Sequence, residues 1–278
     1  MVRSFFSIII TSLNPGERMI PTLQSVLHQE FEDFEIIIKD GGSTDGSQEQ
    51  LQAYLADTRI RLFQEKDKSI YDGMNQALSY VQGRYVLFLN CGDSFYDHRV
   101  LGQAAEYIRE TEKTAGFARP VIFYGNQYNE LQKSEVHSAP ELNDFACYRN
   151  VPCHQVCFYD AELFRERGYD LKYRVRADYE HFLYSVYEKG AKTYAMPLLI
   201  ARYEGGGFSE TRENRRISAE EHRKITEQYL GKAKCLKYRA IMLLTLAPLR
   251  TVIAENPVLS KRYNRMKTFV YGLLRNRG

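Results

Sequence analysis

Four polar stretches in this chain carry residue types that could do chemistry, and each follows or borders an apolar run. The first is Asn90-Cys91-Gly92-Asp93, which breaks the run Tyr85–Leu89 and leaves one carboxylate, Asp93, at its carboxyl end. In open α/β sheets that end is where ligands bind. Taken alone, the turn also reads as a solvated surface turn. The second is Asp40-Gly41-Gly42-Ser43-Thr44-Asp45-Gly46-Ser47, directly after Phe34–Lys39. Backbone N–H groups of Gly41, Gly42 and Ser43 near a helix start suit an anion, and the Asp40 carboxylate can accept hydrogen bonds from a base or ribose. The third is Arg176-Ala177-Asp178-Tyr179-Glu180, which opens a helical pattern; locally, Asp178 reads as an N-cap. The fourth is Tyr203–Ser209, whose Gly205, Gly206 and Gly207 permit close approach to a ligand and also fit a plain linker. Neither G-x-G-x-x-G nor G-x-x-x-x-G-K-[ST] occurs, which weighs against NAD and P-loop chemistry.

The elements that must position these stretches alternate. Apolar runs at Phe5–Thr11, Phe34–Lys39, Ile60–Gln64 and Tyr85–Leu89 predict buried strands. Between them, helices are expected from about Pro21, over Gln48–Ala56, and over Ile70–Val81 with Gly83 ending the last. A βαβαβαβ order implies a parallel sheet with right-handed crossovers, which brings Thr11–Asn14, Asp40–Asp45 and Asn90–Asp93 to one edge. Further on, strands are expected at Val121–Tyr124, stopping at Gly125-Asn126, at Val156–Tyr159 and at Thr193–Ala201, with a helix from Arg176 to about Glu188.

Composition places the chain among ordinary globular proteins: 278 residues, 44% hydrophobic and 26% charged, enough for one large domain with an appendage. The 21 Tyr and 15 Phe suit a core plus stacking surfaces. Five cysteines without a C-x-x-C pair argue against a disulfide framework and for a reducing cytosol. The spacing of Cys147, Cys153, His154 and Cys157 fits no zinc pattern, so buried thiols are expected. The start is too short for a signal peptide, and no apolar stretch reaches the ~20 residues that span a bilayer. From Lys232 to the end, eleven Lys and Arg face Glu255 alone, so a total charge of +3 divides into a +10 tail and a −7 body. Such a basic amphipathic tail suits an anionic membrane surface, or packing on the body or a partner; no nucleic-acid module is present.

In combination, Ser7–Thr11, Lys39-Asp40-Gly41-Gly42-Ser43-Thr44-Asp45-Gly46-Ser47 and Leu87-Phe88-Leu89-Asn90-Cys91-Gly92-Asp93 resemble the family-2 glycosyltransferases. Within them, Ile70-Tyr71-Asp72-Gly73-Met74-Asn75, His154-Gln155, Tyr173–Tyr179 and Gly206-Gly207-Phe208-Ser209 resemble the colanic-acid biosynthesis branch. The resemblance covers roughly residues 4–210 and implies a GT-A fold: a Rossmann-like, mostly parallel α/β sheet flanked by helices. A glycosyltransferase domain over 1–217, divided near 95 into nucleotide and acceptor halves, then precedes a basic helical appendage over 218–278. The resemblance implies inverting transfer from a nucleotide-sugar donor, UDP-linked, to a hydroxyl of a saccharide or lipid-linked acceptor, in bacterial surface polysaccharide synthesis at the cytoplasmic membrane face. It places Thr11, Asn14, Asp40, Gly41 and Ser43 at the nucleoside, and Asp67, Asp72 and Asn75 where the chain closes on it. Asn90, Cys91, Gly92 and Asp93 stand where the family has a D-x-D run, so Asp93 is the metal ligand and Mn²⁺ or Mg²⁺ the cofactor. Asp178 matches the catalytic base, with Ala177 where the family often has a second acid. His154, Gln155, Gly206, Gly207 and Ser209 are weaker candidates for diphosphate or acceptor. A metal would neutralise the departing diphosphate while one carboxylate takes the acceptor proton. Two other readings stay open: a sugar-phosphate nucleotidyltransferase on a similar sheet, and a non-catalytic sugar-nucleotide-binding scaffold.

Overall fold

The computed structural model describes residues 4–206 and 211–245. The chain forms two compact units, Met1–Ile225 and Thr226–Gly278. In the first, strands β1 (Phe6–Ser12), β2 (Phe34–Asp40), β3 (Ile60–Gln64) and β4 (Tyr85–Phe88) run parallel, in the order β3-β2-β1-β4. Ile8, Ile10, Ile36, Ile38 and Leu87 are fully buried, as strands covered on both faces require. Each such side chain contributes about 1.5–3 kcal/mol on leaving water. Register pairs Ser12 with Asp40 and Asp40 with Gln64, so the polar loops that follow share one edge.

Helices α1 (Met19–Leu27), α2 (Ser47–Leu51) and α3 (Ile70–Leu78) connect these strands. The last two are shorter than expected. After Leu51 the chain tightens into a 3-10 turn at Gln52–Tyr54, and α3 ends at Leu78. Gly83 is not its cap; it lies where β1 passes so closely that a Cβ would sit 2.6 Å from the Ser7 nitrogen.

The second half makes the sheet mixed. Strand β8 (Cys157–Asp160) is antiparallel to both β4 and β6 (Val121–Asn129), and β9 (Lys192–Tyr203) is parallel to β6. Two short strands complete it: β5 (Ser94–Phe95) against β9, and β7 (Ser134–Val136) against β6. β6 does not stop at Tyr124. It continues through a bulge at Gly125-Asn126, opposite the Pro197 region of β9, because a glycine there lets Leu198 and Ile200 approach within 2.7 Å of where a Cβ would be. Helix α4 (Val100–Glu112) buries Val100, Leu101, Ala104, Ala105 and Ile108 on one face; α5 (Asp144–Arg149) and α6 (Ala177–Tyr187) follow.

Helix α7 (Arg212–Leu230) begins in the first unit. The boundary falls beyond the expected appendage start at 218, and the early turns of α7 bond to the first unit. Ser218 accepts a hydrogen bond from Arg176 Nε at 2.7 Å, and Glu221 is 7% exposed beneath residues 174–176. In the second unit, α8 (Lys232–Leu244) has no buried residue. The basic residues beyond 245 lie outside the described residues, and no described helix is long and apolar enough to cross a membrane.

Candidate active site

The loops after β1 and β2 are laced together. Asn14 N–H donates to Ser43 Oγ at 2.8 Å, Thr44 N–H to Asn14 Oδ1 at 2.8 Å, and Gly16 N–H to Asp45 at 2.7 Å. Asn14 holds a left-handed φ of 48° to make both contacts. Asp40 is 1% exposed and accepts hydrogen bonds from Ser12, Gly42 N–H, Ser43 N–H, Ser43 Oγ and Gln48. Its carboxylate is turned into its own loop and shapes the rim that Thr11, half-buried, and Gly41 share.

Behind this rim lies a buried cation. Lys39 Nζ donates to the Asp40 carbonyl at 3.1 Å, to the Glu65 carbonyl, and to Asp67 Oδ2 at 3.2 Å. Asp67 fits because Gly41 and Gly73 lack side chains: a Cβ at either would meet Oδ2 at 2.5 or 3.0 Å. Ser69 caps α3, and Asp72 accepts the Lys68 N–H at 2.8 Å, closing the turn before it. Asn75 faces away from this rim: its amide exchanges hydrogen bonds of 2.7 and 2.9 Å with the Tyr169 backbone, tying α3 to that loop.

The Asn90–Asp93 turn is clamped from three sides. Thr22 of α1 accepts the Gly92 N–H at 2.9 Å and donates to the Asp93 carbonyl at 2.7 Å. Gln155 donates to Asp93 Oδ2 at 2.8 Å, and Glu204 N–H to Oδ1 at 3.1 Å. Gly92 sits at φ 103°, and a Cβ there would lie 2.1 Å from Glu204 Oε2, so the Glu204 carboxylate occupies the space its missing side chain leaves. Burial raises the Asp93 carboxyl above its usual range, and the two hydrogen bonds only partly offset this. Cys91 packs its sulfur 3.9 Å from that of Met19, with burial pushing the thiol up to about 12. Cys153 donates to Gln127 at 2.8 Å, Cys147 and Cys157 are buried, and all five cysteines are free.

Among the described residues no cluster of three or more His, Cys, Asp or Glu could hold a metal unaided. One or two carboxylates suffice where a diphosphate supplies the remaining oxygens. Asp93 retains lone pairs beyond its two hydrogen bonds, Glu204 lies beside Gly92, and the buried Gln155 Oε1 has no partner. This donor set fits Mg²⁺ or Mn²⁺ held jointly with a diphosphate and does not fit a protein-only cage.

Asp178 is not an N-cap. Arg176 occupies that position without a side-chain cap bond, and Asp178, in the first turn of α6, points to other partners. Tyr71 Oη is 2.8 Å from its Oδ1, and His154 Nδ1 is 3.1 Å from its Oδ2. Beyond the ring, His154 Nε2 meets Asn90 Nδ2 at 2.9 Å. The structure thus joins Tyr71, Asp178, His154 and Asn90 in one chain, while the adjacent Gln155 reaches Asp93. Burial pushes the Asp178 carboxyl up, but the His154 and Tyr71 hydrogen bonds outweigh it and hold it below its usual value.

Sequence reasoning did not assign Tyr71, Lys39, Glu204 or Glu221. Glu221 accepts N–H bonds from Arg174, Val175 and Arg176 at 2.7, 3.0 and 2.9 Å, fixing the backbone that enters α6 and hence Asp178. Glu221→Ala strands three donors and is expected to cost about 2–3 kcal/mol. On a body of this size that lowers Tm by about 5–10 °C, read by calorimetry; an unchanged Tm would remove the clamp. Gly206 lies exposed at the end of the described stretch, with φ 70°; Gly207 and Ser209 lie outside the described residues.

The model of the family described as "Glycosyl transferase family 2" matches residues 7–168. A PGL/p-HBAD biosynthesis glycosyltransferase of Mycobacterium tuberculosis is 32% identical over 215 residues, 76% of this chain and 81% of that protein. An uncharacterised glycosyltransferase of Rickettsia felis is 35% identical over 94 residues, 34% of this chain and 16% of its own length. Among solved structures, S. aureus TarS 1–349 in complex with UDP superposes with a TM-score of 0.61 at 17% identity, covering 81% of this chain and 70% of that one. A mannosyltransferase from Pyrobaculum calidifontis in complex with GDP-Man and Mn²⁺ gives 0.61 at 13% identity, covering 99% and 88%.

Proposed function

The chain belongs to glycosyl transferase family 2 and has the GT-A fold, and from that premise we propose an inverting transfer of a sugar from a UDP-linked donor to a hydroxyl acceptor. The observation that carries this reading is the placement of one carboxylate, Asp178, with only the His154 side chain between it and Asn90 of the Asn90–Asp93 turn; on this reading the turn takes the donor's diphosphate. Asp178 accepts the acceptor's proton as the hydroxyl attacks the anomeric carbon. The rim of Thr11, Asn14, Gly41 and Ser43, shaped by the inward-turned Asp40, takes the nucleoside, with Asp67 beside Gly41 and Asp72 closing the turn before α3; Asn75 ties α3 to the Tyr169 loop. Gln155, Gly206, Gly207 and Ser209 serve diphosphate or acceptor. A UDP donor is supported by the TarS complexes with UDP and UDP-GlcNAc. Asp93, with Glu204 beside it, would hold Mg²⁺ or Mn²⁺ together with the diphosphate. Bound there, the ion would supply Lewis acidity to the departing group; the mannosyltransferase of similar fold is in complex with GDP-Man and Mn²⁺.

Calorimetric titration of UDP, GDP and other nucleoside diphosphates, with Mn²⁺ and with chelator, tests this. Selective, metal-strengthened UDP binding is expected, and absence of any nucleotide binding would overturn it. Asp93→Asn is expected to lose about 10-fold or more of the metal-dependent part of the affinity. Equal Mn²⁺ enhancement in that variant would free Asp93 of the role.

The acceptor we place in a bacterial surface polysaccharide or lipid-linked oligosaccharide, on the motifs that resemble the colanic-acid branch; relatives are named for PGL/p-HBAD biosynthesis. The site of action is then the inner face of the plasma membrane, reached peripherally. Helix α8 supports this: Leu236, Leu243 and Leu244 are 71%, 59% and 84% exposed, on a helix that also carries Lys232, Lys237 and Arg239. Full-length protein with Leu236 and Leu243 both changed to Glu is expected to float less well with vesicles containing anionic lipid. Equal flotation would rule out α8 as an anchor.

A further inference from the structure

We propose that His154 is a positioning residue for Asp178, holding the carboxylate through Nδ1 while Nε2 is anchored to Asn90 of the donor-side turn. The inference rests on the reading of Asp178 as the base and deepens it.

The hydrogen-bond chain dictates the tautomer. An amide nitrogen only donates, so with Asn90 Nδ2 at 2.9 Å, His154 Nε2 must accept. The ring proton then sits on Nδ1 and is donated to Asp178 Oδ2 at 3.1 Å. Tyr71 is the weaker holder, because its one proton is shared between Asp178 Oδ1 and the Val175 carbonyl, at 2.8 and 2.7 Å. The ring plane is set by Phe88 at the end of β4, edge-on at 87°. Both ring nitrogens are therefore committed, which leaves none for a phosphate.

The His154-Gln155 step gives the arrangement a second consequence. His154 takes Asn90 and Gln155 takes Asp93, so two consecutive residues grip both ends of the turn.

Two near-isosteric variants separate the ring's two ends. His154→Asn keeps a donor near the Nδ1 position and loses the Asn90 contact; His154→Gln keeps a group near Nε2 and loses the donor to Asp178. For His154→Gln, kcat is expected to fall about 10- to 100-fold, with UDP affinity unchanged and the acid limb of the kcat profile moved to higher pH. His154→Asn should keep the wild-type limb and most of kcat. The other titratable groups facing Asp178 are Tyr71, Tyr159, Tyr169, Cys153 and Cys157, all pushed upward by burial, so they add no acid limb of their own. Independently, ¹⁵N NMR of histidine-labelled wild-type protein should find a His154 proton on Nδ1 at neutral pH. Wild-type turnover in His154→Gln together with weakened UDP binding in His154→Asn would overturn the proposal, as would an Nε2–H tautomer. If instead Asp178→Asn stayed active, the base assignment would fail while the tautomer result stood.

Discussion

Asp178→Asn is expected to lower kcat about 10²- to 10⁴-fold, the usual contribution of a positioned general base, while UDP binding stays within about twofold. Asparagine keeps the shape of the carboxyl group. Its Oδ1 can still accept from Tyr71 or His154, so the fold should survive. What it cannot do is take a proton from an attacking hydroxyl. In the wild type the carboxyl is held below its usual value, so it is ionised across the neutral range and activity should decline only as pH falls through that lowered value. A loss in UDP affinity as large as the loss in kcat would instead assign Asp178 to donor binding.

Lys39→Met is expected to cost about 3–5 kcal/mol, the usual penalty for stranding one partner of a buried ion pair. Lys39 is fully buried, and its ammonium is the shared donor for two carbonyls and the Asp67 carboxylate. Methionine fills the volume but leaves Asp67, 12% exposed, as a charge without its cation between Gly41 and Gly73. On a body of this size the Tm should fall by about 10 °C or more, and UDP affinity should fall with it because Asp67 borders the rim proposed for the nucleoside. Thermal unfolding followed by circular dichroism, with calorimetry of UDP on the folded variant, reads both. An unchanged Tm would show that water reaches Asp67 and that the ion pair contributes nothing.

Much of this frame was legible in local pattern. The runs around Ile8, Ile36 and Leu87 are short, rich in Ile and apolar throughout, as doubly covered strands are, and each ends on the polar loop expected. Glycine was the least reliable punctuation. Gly83 and Gly125 read as ends of elements, yet each is present because another backbone passes where a Cβ would stand, which a one-dimensional pattern does not show. Helix α4 has helical apolar spacing from Val100 to Ile108, but small alanines among charges kept its signal weak.

The site divided in the same way. Asp40, Asp93 and Asp178 stand at element ends and were found there. What each does depends on partners far along the chain. Asp40 closes its own loop through Ser43 and Gln48, whereas Asp178, inside the first turn of α6, bonds to Tyr71, 107 residues away. Glu204 replaces, in space, a side chain that Gly92 lacks, and Glu221 clamps the start of α6 from α7, 45 residues further along the chain. Such pairings are set by tertiary packing, so no spacing rule announces them.

The most direct test of the central claim is the nucleotide product formed with Mn²⁺, a panel of nucleotide sugars and acceptors extracted from bacterial lysate. Released UDP matched mole for mole by glycosylated acceptor, and lost in Asp178→Asn, is the predicted result. Pyrophosphate in place of UDP, or UDP formation undiminished in the variant, would contradict the account.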